Sequence, residues 1–160
     1  MTNKRVWDQF KHTDPKFTKP FSKFGRTLTT TDPMYQVMRM TDYFGPVGEG
    51  WTYEVKYVYT EKNVFAELKL GWRDDTSKEF NRYGPVSAVN PLYNSKGTLD
   101  DEAPKKAMTD AMTKAMSHLG MSADVFLGLF DSNKYVSEMK EKFAAKSNVD
   151  KSKVREVTND

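Results

Sequence analysis

Along one stretch of the chain Lys106, Asp110, Lys114 and His118 recur every four residues, beside a hydroxyl column of Thr109, Thr113 and Ser117. That mixture suits phosphate oxygens, because lysine neutralises their charge and hydroxyls donate to them. The plainer alternative is a solvated helix face on which Lys114 pairs with Asp110, worth about 0.3–0.5 kcal/mol. Further candidate cations are Lys56, Lys69 and Arg82 in extended segments, Lys96 in a loop, and Arg39 in a short helical segment. Acids cluster at Asp74-Asp75 and at Asp100-Asp101-Glu102. Either cluster could hold a divalent cation for nucleolytic cleavage. Turn chemistry accounts better for the first, and the helix macrodipole for the second. His12 and His118 have neither zinc-ligand nor triad spacing, and the glycine-rich loop 44–50 is not followed by the Lys-Ser or Lys-Thr of a P-loop. No enzymatic activity, cofactor, metal or use of ATP is therefore expected.

Aligning those side chains requires a helix. From Asp101 to Leu119 the apolar residues are Ala103, Ala107, Met108, Ala111, Met112, Ala115, Met116 and Leu119, the stripe of one helix face. Asp100 or Asp101 can cap its start, Pro104 fits only the first turn, and Gly120 supplies the stop. Upstream, Trp51 to Thr60 alternates, with Trp51, Tyr53, Val55, Tyr57 and Tyr59 on one face. A second strand carries Val64, Ala66, Leu68, Leu70 and Trp72 on one face, and a third, Lys78 to Val89, is broken by Gly84-Pro85. Asp32-Pro33 opens a short helix with a Met34, Val37, Met38, Thr41 stripe. The fold class is therefore α+β: an antiparallel three-stranded sheet packed against a long helix, a β-β-β-α core, with a short helix before the sheet. If the helix lies across the sheet, Lys56, Lys69, Arg82, Lys106 and Lys114 line one groove that tracks a phosphate backbone.

With 160 residues, 38% of them apolar, the chain can bury one core. The expected organisation is a flexible basic and aromatic arm at 1–31, one domain at 32–146, and a disordered tail at 147–160. In the arm Lys16, Lys19, Lys23 and Arg26 alternate with Phe17, Phe21 and Phe24, and Pro15 and Pro20 interrupt any helix. Bases stack on aromatics while cations neutralise phosphates, so the arm contacts nucleic acid or docks its phenylalanines on protein. Cysteine is absent and no apolar run reaches the length of a membrane span, which points to the cytoplasm and no membrane partner. The formal charge of +3 is compatible with a nucleic-acid partner. Val58, Phe65, Phe126, Leu127 and Phe130 exceed what one sheet and one helix can cover, which predicts self-assembly.

The letters of the long helix carry a resemblance. Lys105, Ala107, Thr109, Asp110, Ala115, Leu119 and Gly120, followed by Asp131, Lys134 and Tyr135, resemble the signature helix of the Rad-fifty-two family of single-strand annealing proteins. The likeness extends back through Arg82-Tyr83-Gly84, the AELKLGW segment, and Phe44-Gly45 with Gly50-Trp51, over roughly residues 32–136. In this short form it is most similar to bacteriophage recombination proteins, which implies the host bacterial cytoplasm. The resemblance implies subunits assembled in a ring, with single-stranded DNA in an outward groove and its bases free to pair. Annealing in homologous recombination and repair then needs no ATP, since base pairing supplies the free energy. The family's basic cluster after Thr-Asp is reduced here to Lys114 among Thr113 and Ser117, Tyr35 stands near an expected cation with Arg39 one turn on, and Lys96 lies near another. That thinning supports a competing reading: a DNA-independent interaction or regulatory protein on the same fold.

Overall fold

The computed structural model describes residues 2–157, and the side chains of 2–148 and Asp150. In chain order the elements are α1 (Arg5–Phe10), a 3-10 turn (Pro15–Phe17), β1 (Thr18–Lys23), β2 (Arg26–Thr31), α2 (Pro33–Phe44), β3 (Trp51–Tyr59), β4 (Asn63–Trp72), β5 (Asn81–Pro91), α3 (Ala103–Ser117), α4 (Ala123–Phe126), a second 3-10 turn (Leu129–Asp131) and α5 (Asn133–Val157). They form two compact units, 33–121 and 1–32 with 122–160, where the sequence reading expects one domain over 32–146 between an arm and a tail.

The 33–121 unit is α+β, with an antiparallel sheet ordered β3-β4-β5. Cross-strand partners Tyr53, Leu70 and Tyr83 share one face, as do Val55, Leu68 and Val86, and Tyr57, Ala66 and Ala88. On that face Val64, Ala66, Leu68 and Leu70 are fully buried, as are Ala103, Ala107, Ala111 and Ala115 of α3. α3 lies against β4 and β5, so the helix covers two strands and leaves much of β3 open. Tyr53, Tyr57 and Tyr59 are accordingly exposed although they stand on the helix side. β5 shifts register opposite Leu68 and Leu70. There Gly84 has φ of 109°, and an added Cβ would come 2.8 Å from the Leu68 carbonyl, so no larger residue fits.

Two details of this unit depart from expectation. No side chain caps α3 at Glu102; Asp100 instead accepts from the Glu102 amide at 3.0 Å, just outside the helix. α2 buries Tyr35, Gln36 and Met40, and its expected core stripe, Met34 with Met38, is exposed. Tyrosine and glutamine have long bodies that pack, and a stripe count by polarity misses that. The stop at Gly120 stands, with φ of 99°.

Residues 1–31, expected to be a poorly structured arm, fold as α1, a 3-10 turn and the β1–β2 hairpin. α1 buries Val6 and Phe10. The expected disordered tail continues α5 through Val157, and its residues 158–160 lie outside the described residues. Of the residues expected to exceed the cover of one sheet and one helix, Phe130 is buried, packed edge-on to Tyr135 at 5.8 Å, whereas Phe126 and Leu127, with neighbouring Leu129, are exposed. No helix among the described residues is long and apolar enough to cross a membrane.

Two measurements test this packing. Ala111→Leu should destabilise by about 1–3 kcal/mol in urea titrations, because the added methylenes meet β4 with no room to relax. The Tyr83 hydroxyl donates to the Ala115 carbonyl, and burial pushes its pKa above the ordinary 10.0. A raised folded pKa gives stability that is whole below the unfolded value and is lost as pH rises past it. Tyr83→Phe should therefore cost about 1 kcal/mol at neutral pH and flatten the alkaline fall in stability of the parent.

Candidate nucleic-acid interface

The strongest cationic feature is the β1–β2 hairpin. Lys23 and Arg26 pair across a two-residue turn, where Phe24 has φ of 53° and Gly25 of 73°. Two positive φ values make the turn that matches strand twist, and glycine suits the second position. Phenylalanine in the first costs about 1–2 kcal/mol of backbone strain. The return is display: Phe24 is 93% exposed at the tip, with the Lys23 ammonium 5.5 Å from its ring. The register sorts the remaining side chains. Lys19, Phe21 and Lys23 share one face with Arg26 and Leu28, while Thr18, Pro20 and Ser22 share the other with threonines. One face is thus cationic and aromatic, and from Pro15 to Thr31 there is no acid.

A buried carboxylate sets the base of the hairpin. Asp124 accepts from the Thr13 amide at 2.8 Å, the Thr13 hydroxyl at 2.7 Å and the Tyr135 hydroxyl at 2.8 Å. A phenol has one proton, so the Tyr135 oxygen accepts from His12 Nδ1, 3.1 Å away. Burial, then the bond to Asp124, pushes the Tyr135 pKa up. The backbone adds two links, from the Ser122 amide to the Phe10 carbonyl and from the Asp124 amide to the Lys11 carbonyl. Immediately after Thr13, Asp14 accepts from the Lys16 amide at 3.2 Å and starts the 3-10 turn, whose Phe17 carbonyl takes the Asp32 amide at 2.8 Å. β2 also lies against α4 and the second 3-10 turn.

The candidate cations named from sequence do not form one groove. Lys56 and Lys69 stand on the sheet face away from α3, directly opposite Glu67 and Glu54, and Arg82 shares that face beside Gly71. Lys106 and Lys114 are on α3, on the other side of the sheet. Each is tied to an acid: Lys106 to Asp100 at 2.7 Å and Lys114 to Asp110 at 3.2 Å. The Lys106 hydrogen bond holds the Asp100 carboxyl below its usual range, and Asp100 in turn raises Lys106. Arg39 is half-buried on α2, and Lys96 is exposed in a turn closed by Asn94. Arg82 contacts the Phe80 ring, 5.4 Å from its centroid, which Arg73 also approaches at 4.8 Å.

The acid clusters are engaged in local structure, Asp74 with the Thr76 amide at 3.0 Å and Asp100 with Lys106. His118 stacks on Tyr83 at 6.3 Å. Among the described residues no group of three or more histidines and acids is placed to hold a metal ion. Comparison of the chain with protein-family models, with curated proteins and with solved structures finds no match in any of the three.

Tyr135→Phe tests whether the buried carboxylate fixes the hairpin base. Removing a donor to a buried charge should cost about 1.5–3 kcal/mol of stability. The Asp32 amide should also exchange faster, whereas amides of β4 should change only as global stability does.

Proposed function

We propose that this chain is an ATP-independent single-stranded DNA-binding and annealing protein, acting in homologous recombination and repair as a ring-forming homo-oligomer. The observation that carries the reading is the hairpin, an acid-free element with cations and aromatics on one face and Phe24 displayed at its tip. Cations follow the backbone and rings take base faces without reading sequence, which leaves the pairing edges available to a second strand. The resemblance of the long helix to the Rad-fifty-two family supports the same function, and the uncovered apolar residues support assembly. The seven cations first named, Arg39, Lys56, Lys69, Arg82, Lys96, Lys106 and Lys114, contribute a diffuse field around that contact. A DNA-independent interaction protein is the second reading, favoured by the acids that neutralise Lys106 and Lys114.

Titration of a labelled single-stranded oligonucleotide over a range of salt separates the readings. Lys19→Ala/Lys23→Ala/Arg26→Ala should weaken binding across sequences and lower the salt slope by about two, the share of three single-strand phosphate contacts. Phe24→Ala should cost about 1–3 kcal/mol of binding with the slope unchanged. Lys106→Ala/Lys114→Ala should act in the same direction as the hairpin triple variant but more weakly. A parent that shows no salt-dependent binding would establish the DNA-independent reading.

A further inference from the structure

Within the 33–121 unit, α2, β3 and α3 enclose an open groove of about 290 Å³. Its lining includes Met34 and Val37 of α2, Trp51 and Tyr53 of β3, and Met108 and Met112 of α3, and none of the described residues lining it is charged. Met34 is 70% exposed at the rim. Elsewhere in the sequence, the turn Val125-Phe126-Leu127-Gly128-Leu129 is uncharged, with Gly128 at φ of 79°. Phe126 is 58% and Leu127 70% exposed.

We infer that the Phe126–Leu127 turn of one copy seats in the α2–β3–α3 groove of the next, as the repeating contact of the assembly. This rests on the self-assembly part of the function proposed above. Charge favours this turn over Phe24, the most exposed apolar residue described, which is flanked by Lys23 and Arg26; seating it would strip water from cations with no carboxylate in the lining to receive them. Residues 125–129 of the turn carry no charge and match an uncharged groove, and Asp131, whose carboxylate lies beside Gly128, is exposed and can stay in water at the rim. Methionines suit such a seat, since their unbranched side chains adjust to an incoming ring. Because knob and groove are different surfaces, the contact is heterologous: each copy offers one of each, and repetition closes into a ring or runs on as a filament.

The test is light scattering on the full chain at micromolar concentration, for the parent, Leu127→Glu and Met34→Glu. The parent should be a multimer, and each variant should fall to the single-chain mass of 18.4 kDa. Both positions are exposed, so the single chain tolerates the charge. Leu127→Glu retains an intact groove and Met34→Glu an intact knob. Mixed in equal amounts they should therefore form a two-chain species that grows no further, which also shows that both are folded. A multimeric parent whose variants keep its mass, or whose mixture stays at the single-chain mass, would overturn this interface and leave self-assembly standing. A parent at the single-chain mass would overturn both.

Discussion

Four alanines, one per turn, set how closely α3 approaches the sheet, and the arrangement of the 33–121 unit follows from that approach. Ala103, Ala107, Ala111 and Ala115 are fully buried, so the helix axis sits as near β4 and β5 as backbone atoms permit. At that distance the methionine ridge beside the alanines is carried to the β3 side, where Met108 and Met112 line the groove together with Tyr53. The lysine column is carried away from the sheet and meets only its own acids. Larger residues in the ridge would lift the helix, open the interface to β5 and remove the carbonyl to which Tyr83 donates. The close approach also separates the cations: once the apolar sheet face belongs to α3, Lys56, Lys69 and Arg82 are left on the opposite one.

That separation was legible in the sequence. The alternation of Trp51 to Thr60 puts Lys56 opposite the Tyr and Val set, and the alternation of the next strand puts Lys69 opposite Val64, Ala66 and Leu68. A helix with an Ala/Met stripe must cover the apolar set, so a shared groove for strand and helix lysines conflicts with the period-two pattern itself. Three strands, the long helix and its glycine stop were readable because their patterns are long and repeat. The hairpin was not, for two physical reasons. Pro15 and Pro20 rule out a helix, yet Pro20 is compatible with a strand, since opposite Thr29 its nitrogen faces away from the partner strand and no ladder bond is lost. The faces of β1 and β2 also differ by charge and aromaticity against threonine rather than by hydropathy, so no apolar alternation marks them. The signal present was Phe24-Gly25 between two six-residue extended runs. The Asp124 network escaped for a different reason: Thr13 and Asp124 lie 111 residues apart, and no local pattern links them.

The charge balance sharpens the functional contrast between surfaces. Lys19, Lys23 and Arg26 of the hairpin carry three positive charges against a chain total of +3, so everything outside the hairpin is balanced. A whole-chain charge this small reads as a weak argument for a polyanionic partner, because it averages an acid-free hairpin with a balanced remainder. What a polyanion meets is local. The field around exposed charges decays over about 8–10 Å at physiological salt, so the hairpin presents its own sign whatever lies beyond that distance.

Binding a polyanion and binding a second protein chain impose opposite demands on solvation, and the surfaces proposed for the two differ in just that respect. Phosphates must stay hydrated and mobile for strands to realign during annealing, which calls for exposed cations on flexible stems and rings that stack without enclosing. A repeating protein contact must exclude water, which calls for uncharged walls and an uncharged insert. The hairpin meets the first demand and fails the second, since none of its cations has an acid across the ribbon. The α2–β3–α3 groove and the Phe126–Leu127 turn meet the second and fail the first, having no charge to offer a phosphate. The annealing function proposed for this chain would need both kinds of surface at once: one to hold many copies in register, and another to leave a strand loose enough to find its complement.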